Sequence, residues 1–251
     1  VRPVTWSKDR NKLVIAVSSS TNPGDYYLFD KDGGTLSFLW DRSPWINRDL
    51  LSPKQPISYA ARDGLKINGY LTIPKNTNGK NLPMIVHPHG GPNARDTYGY
   101  DPYVQFLASR GYVVFQPNFR GSTGYGAKHY ILANKQFGKT MQDDITDGVK
   151  YLTNNGIADE DRIAIFGGSY GGYATMAGLA FTPDLYAAGI NYVGVVDLEL
   201  LQEGSNRNSR RFNGFYHELR LEWGDPDIPE DMEYIIETSP LRQAQNIKSP
   251  V

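Results

Sequence analysis

Three residues at a fixed spacing could carry nucleophilic chemistry: Gly167, Ser169 and Gly171, within FGGSYGGY at 166–173. A serine hydroxyl attacks a carbonyl only when its Oγ is held clear of the backbone and a base stands near it. Glycine two positions to either side lets a strand turn abruptly into a helix, because no Cβ blocks the approach of the two elements. Such a turn strains the serine backbone and lifts Oγ to the end of the sheet. The free N–H groups at the start of the helix then face any oxyanion that forms. The N–H of Tyr170, the residue after the serine, is the first expected donor. A glycine-rich turn with a chance serine is the competing reading. The flanks favour the nucleophile, since RIAIF (162–166) is a short apolar strand and YATMAGLAF (173–181) an apolar helix.

A second motif, His89-Gly90-Gly91-Pro92, closes the apolar run PMIVHPH (83–89). Acyl transfer needs a second donor, and HGG-type loops after the third strand supply it on α/β-hydrolase sheets. Gly90 and Gly91 would let that backbone face a ligand; a plain strand-to-helix turn would use the same residues. His87 and His89 form an H-x-H pair, which on a strand would share one face, as metal ligands can. No third ligand lies nearby, so hydrogen bonding around the site is the plainer role. No metal or other cofactor is called for.

The serine also needs a histidine and a carboxylate, in the chain order Ser, Asp or Glu, His. After Ser169 the only histidine is His217, with Asp197 before it. Residues 198–216 hold no strand that would bring His217 back to the serine. The expectation is that this pair does not serve and that the acid and base lie beyond Val251.

The elements around these residues read as two kinds. LVIAVSSS (13–20), DYYLFD (25–30) and TLSFLWD (35–41) are three short strands joined by turns at Asn22-Pro23-Gly24 and Lys31-Asp32-Gly33-Gly34, as in one blade of a β-propeller. Residues 43–56 carry Pro44, Pro53 and Pro56 and read as a linker. From 57 a hairpin (57–61, 67–74) leads into strands at 83–89, 112–118, 162–166 and 187–193. These alternate with helices at 100–109, 141–155 and 173–181. Alternation of this kind implies a largely parallel sheet covered on both faces. The predicted fold is α/β, an α/β-hydrolase sheet over 57–251 that stops short of its last strands, behind a blade remnant at 1–42. Residues 198–247 are polar and irregular, and IKSPV looks like the start of another strand.

Composition narrows the class. The 251 residues suit one large α/β domain with an appendage. Lys and Arg total 26 against 27 Asp and Glu, which suggests neither a nucleic-acid partner nor an anionic membrane surface. The absence of cysteine excludes disulfides and thiolate chemistry. No apolar run approaches the ~18 residues of a membrane span. The opening VRPVTWSKDRNK lacks the pattern of a signal peptide, and the compartment stays open between cytoplasmic and periplasmic or secreted.

Taken together, HPHGGP, NFRGSTGYG (118–126), GGSYGGY and TSPLRQAQNIKSPV occur in an order that resembles the prolyl oligopeptidase family of serine peptidases, most of all its acylaminoacyl-peptidase branch. The resemblance covers most of the chain. It implies a β-propeller before the hydrolase domain and peptidase activity on short peptides. It assigns Ser169 as nucleophile and the Gly91 and Tyr170 N–H groups as oxyanion donors, and it implies self-association into a homo-oligomer. It places the first specificity pocket near Val195, Leu198 and Leu201, and the family's Asp and His after the strand that SPV begins. Arg120, in NFRGS, is either a surface arginine or an ion-pairing residue that fixes loops near the site. An esterase on the same elbow and a non-catalytic fragment without acid and base are the alternative functions.

Overall fold

The computed structural model of the chain describes residues 1–202 and 220–251. Its first forty-one residues form an antiparallel sheet of four strands in sequence order: β1 (Arg2–Trp6), β2 (Lys12–Ser19), β3 (Asn22–Asp30) and β4 (Thr35–Asp41). Three of these are the strands read from the sequence. β1 was not expected, because all five of its residues are exposed and no buried alternation marks it; as an edge strand it also tolerates Pro3. The first turn falls at Ser20 and Thr21, so Asn22-Pro23-Gly24 opens β3 instead of forming the turn. Asn22 Oδ1 accepts the Gly24 N–H at 2.8 Å, a local bond that stands at the strand entrance.

The segment between the sheets is fixed at several points. Arg48 makes a two-pronged ion pair with Asp25 (2.9 and 2.5 Å) and a third contact with Asp41 (2.6 Å). The next strand, β5 (Lys54–Ala60), starts three residues before the expected hairpin and includes Pro56. It pairs only with β6 (Lys66–Thr72), and an edge strand can hold a residue that lacks an N–H.

β7 (Leu82–Val86), β8 (Val113–Asn118), β9 (Ala158–Gly168) and β10 (Ala188–Tyr192) complete a six-stranded sheet of order β10-β9-β7-β8-β6-β5. The β10/β9, β9/β7 and β7/β8 pairs are parallel; β6 runs antiparallel to β8 and to β5. The fold is that of an α/β hydrolase preceded by a separate β-sheet. The helices α1 (Pro102–Ala108), α3 (Thr140–Asn154) and α4 (Tyr170–Phe181) lie where the periodicity placed them, and α2 (Ala127–Ile131) is an additional short turn of helix. On α3, Met141, Ile145, Val149 and Leu152 are fully buried, the stripe that helical spacing requires. They pack in one core with Met84, Val86, Phe115, Ile163 and Ile165 of the central strands. Burying each such side chain contributes about 1.5–3 kcal/mol, which is what holds the ends of β7 and β9 in a fixed relation.

Within the polar stretch after Asp197, the described residues are helical at 198–202 and 220–223 and form α5 (Pro229–Glu237) and a 3-10 segment (Pro240–Asn246), with no strand among them. α5 carries a proline at its start and Glu230 and Asp231 in its first turn, the sequence signals of a helix beginning. Pro250 accepts the Gly189 N–H at 3.0 Å, so it lies against the outer edge of β10.

Candidate active site

β9 ends at Gly168 and α4 begins at Tyr170, leaving Ser169 alone at the corner. Its backbone adopts φ 57°, ψ −119°, a conformation that costs a non-glycine residue of order 1–3 kcal/mol. Its neighbours hold it there. The Ser169 N–H donates to the Tyr192 carbonyl at 3.0 Å, and the Ser169 carbonyl accepts from Tyr173 N–H at 3.0 Å. The side chain makes no capping bond to the helix and is exposed, so Oγ is free for chemistry.

The two flanking glycines serve a steric purpose. A Cβ on Gly167 would collide with the backbone of Gly171, and one on Gly171 would run into the Pro88 carbonyl oxygen. Strand, helix and the exit of β7 therefore meet main chain to main chain. The HGGP loop crosses the same corner: a Cβ on Gly90 would stand 3.1 Å from the Gly168 oxygen and 3.5 Å from Ser169 Cβ. The two motifs, separated in sequence, are brought together over one serine. Gly91 follows in the left-handed half of backbone space (φ +124°) and is exposed. Tyr170 contributes the first N–H of α4, which has no intrahelical acceptor. Its ring is buried among Phe119, Phe137 and Tyr173, with centroids 5.3, 4.9 and 5.5 Å away.

Each histidine of the H-x-H pair has its own partners. His87 stacks on Phe166 (4.9 Å) and its Nδ1 lies 2.7 Å from the Phe166 carbonyl. His89 stacks on Phe119 (4.4 Å), with Nδ1 2.7 Å from the Gly90 carbonyl and Nε2 2.8 Å from Ser122 Oγ. Burial pushes the His89 pKa down to about 4, so the ring is neutral near pH 7. The pair thus ties the HGGP loop to its surroundings. Among the described residues no group of three or more His, Asp or Glu could hold a metal ion.

Arg120 is buried, not on the surface. Its guanidinium meets Asp144 through Nε (2.8 Å) and a terminal nitrogen (2.7 Å), and reaches Asp63 at 2.9 Å. Its backbone N–H also donates to Asp144 at 2.9 Å. The burial works against its charge, but the bonds to Asp144 outweigh that and raise its pKa. This residue anchors the turn after β8 to α3.

Asp197 is engaged elsewhere than at Ser169. Its Oδ1 accepts the N–H groups of Glu199 and Leu200, and its Oδ2 pairs with Arg242 at 3.0 Å. His217 lies outside the described residues. Of the three pocket candidates, Val195 and Leu201 are half-buried against the core, whereas Leu198 is fully buried and presents no surface to a ligand. Glu222, which carried no signal in the sequence, reaches the residue after the HGGP motif by accepting from Asn93 Nδ2 at 2.5 Å.

A profile described as the prolyl oligopeptidase family matches residues 98–251. The chain belongs to this family. It is 37% identical over 254 residues to dipeptidyl aminopeptidase BIII of Pseudoxanthomonas mexicana, covering 98% of this chain and 36% of that protein. It is 32% identical over 270 residues to dipeptidyl peptidase family member 6 of Caenorhabditis elegans, covering 99% and 36%. Among solved structures, acylaminoacyl peptidase of Pyrococcus horikoshii superposes with a TM-score of 0.78 at 29% identity, over 95% of this chain and 37% of that one. A puromycin-hydrolyzing peptidase of Mycobacterium tuberculosis superposes with a TM-score of 0.81 at 27% identity, over 100% and 38%. The chain thus spans little more than a third of the length of these relatives. Both the family and its acylaminoacyl-peptidase-like character accord with the motifs read from the sequence.

Proposed function

We propose that this chain carries the nucleophile and oxyanion hole of a serine peptidase that cleaves short peptides through an acyl-enzyme on Ser169. The observation that carries the reading is the convergence of the strained, exposed Ser169 and the Gly90-Gly91 backbone at one corner of the sheet. In the first step Ser169 Oγ bonds to the substrate carbonyl carbon while its proton passes to a histidine base. The carbonyl oxygen becomes an oxyanion held by the Gly91 and Tyr170 N–H groups. The C–N bond then breaks, the leaving amine takes the proton, and water releases the acyl group by the reverse sequence. We place the Asp and His of the triad after Val251, as the family's order implies, since Asp197 is committed to a helix start and to Arg242. The four-stranded sheet at 1–42 is in this reading the last blade of a propeller, joined by residues 43–56. Val195 and Leu201 would line an apolar first specificity pocket, next to a core residue, Leu198. Peptide substrates are in keeping with an acylaminoacyl peptidase structure that holds Z-Gly-Gly-Phe-chloromethyl ketone and superposes with a TM-score of 0.77.

The test is covalent. A fluorophosphonate probe is expected to label the full-length protein at Ser169, located by peptide mass mapping, and Ser169→Ala to abolish labelling. Labelling that persists in that variant would overturn the assignment. Turnover of p-nitrophenyl esters with no turnover of acyl-peptide or dipeptidyl anilides would point to an esterase instead.

A further inference from the structure

An oxyanion hole works only if its two donors keep a fixed separation, and here one stands on the HGGP loop and the other on the first turn of α4. Gly91 and Asn93 are exposed on either side of a buried Pro92, and the middle of the loop is glycine and proline, so few side chains of its own can hold it. Its descending limb is tied at Ala94, whose carbonyl accepts Thr123 N–H at 2.9 Å. On the near side His89 holds the Gly90 carbonyl, and on the far side a side-chain bond runs from Asn93 Nδ2 to Glu222 Oε1, at 2.5 Å. Glu222 is itself well anchored. It is 7% exposed, the same Oε1 accepts from Tyr130 OH at 2.9 Å, and its carbonyl accepts Lys135 N–H at 2.6 Å. The next residue turns the other way. Trp223 packs on Phe137 (4.8 Å), and Phe137 meets the Tyr170 ring edge-on (4.9 Å, 86°).

We propose that Glu222 is a positioning residue for the oxyanion hole: through Asn93 it holds the Gly91 loop, while the adjoining Trp223 backs Tyr170 through Phe137, so that one dipeptide sets the distance between the two donors. The inference rests on the acyl-enzyme reading of Ser169. A carboxylate suits the task because one oxygen can take two donors at once, and a bond to a charged acceptor is stronger and shorter than a neutral one. The cost of losing it falls on the transition state, where the oxyanion exists, and not on the bound substrate, whose carbonyl needs the hole less.

The experiment uses the full-length protein, a peptidyl anilide and the fluorophosphonate probe. Glu222→Ala and Asn93→Ala are each expected to lower kcat at least tenfold with KM within twofold, and to slow labelling of Ser169 by a similar factor. Glu222→Gln, which keeps an acceptor oxygen for Asn93, is expected to hold kcat within about threefold of wild type. The double variant Asn93→Ala/Glu222→Ala is expected to lose no more than the worse single variant, the mark of two residues acting through one bond. Asn93 is exposed, so its variant reports on the loop even if Glu222→Ala does not fold. If both alanine variants keep kcat within twofold, raise KM alone, or multiply their losses in the double variant, the clamp is wrong. A wild-type protein that is never labelled at Ser169 would overturn the acyl-enzyme reading, and the clamp with it; labelled wild type with undisturbed variants overturns the clamp alone.

Discussion

His89 shows how much a single ring can hold when it stays neutral. With Nδ1 donating to the Gly90 carbonyl and Nε2 accepting from Ser122, both nitrogens are satisfied without a proton to spare. The unfolded ring would titrate near 6.5 and the folded one near 4. Between those values the unfolded chain takes up a proton that the folded chain refuses, so His89 costs stability as pH falls from 6.5 toward 4 and costs nothing above it. Urea denaturation across that range should show a decline of about 1–3 kcal/mol in wild type that is smaller in His89→Gln. At this scale the strained corner at Ser169 was legible in the sequence, because such a turn is local and its requirements fall within five residues. Glu222 was not, because it acts on Asn93, a partner far away in the chain, and no motif marks a long-range hydrogen bond. Leu198 failed as a pocket residue for a related reason: an apolar side chain reads the same whether it lines a cavity or fills the core.

The elements around Ser169 are fitted by backbone. A methyl group on Gly171 has the Pro88 carbonyl oxygen in its way, and neither belongs to a flexible side chain that could move aside. Gly171→Ala is therefore expected to cost about 1–3 kcal/mol by overpacking and to remove Ser169 labelling even where the protein remains folded. A fluorophosphonate assay beside a thermal melt separates the two effects. The turn after β8 depends instead on charge. Arg120→Met leaves Asp144 buried without its partner, and a loss of about 3–5 kcal/mol is expected in denaturant titration. Replacing both, as Arg120→Met with Asp144→Leu, should recover much of it, because the remaining cost was the stranded carboxylate. Helix and strand positions in the central sheet could be read from the sequence pattern, since α3 buries one face, β8 and the end of β7 bury both, and the second half of β9 alternates. β1 and α2 could not. β1 is exposed throughout, α2 is a single turn, and neither carries a periodic apolar signal.

Across the whole molecule, buried bonds tie the first sheet and the segment after it to α1. Gln105 of α1 takes the Ser52 N–H at 2.9 Å and gives hydrogen bonds to the carbonyls of Ser52 (2.8 Å) and Ser20 (3.0 Å). Gln105→Leu preserves the volume and removes all three. Limited proteolysis should then cut faster within residues 42–53, while labelling of Ser169 is retained; unchanged cleavage would show that Arg48 and its two aspartates suffice as the joint. No charge or periodicity announced this joint, because it is built from uncharged polar groups that become neighbours only after both sheets have formed. The elbow, finally, bears on how such a protein can diversify. Its contacts are drawn from the main chain of residues 88, 90, 167 and 171, so the position of Ser169 is largely independent of the side chains that surround it. Lineages can then exchange the side chains around that corner one mutation at a time without moving the Ser169 backbone.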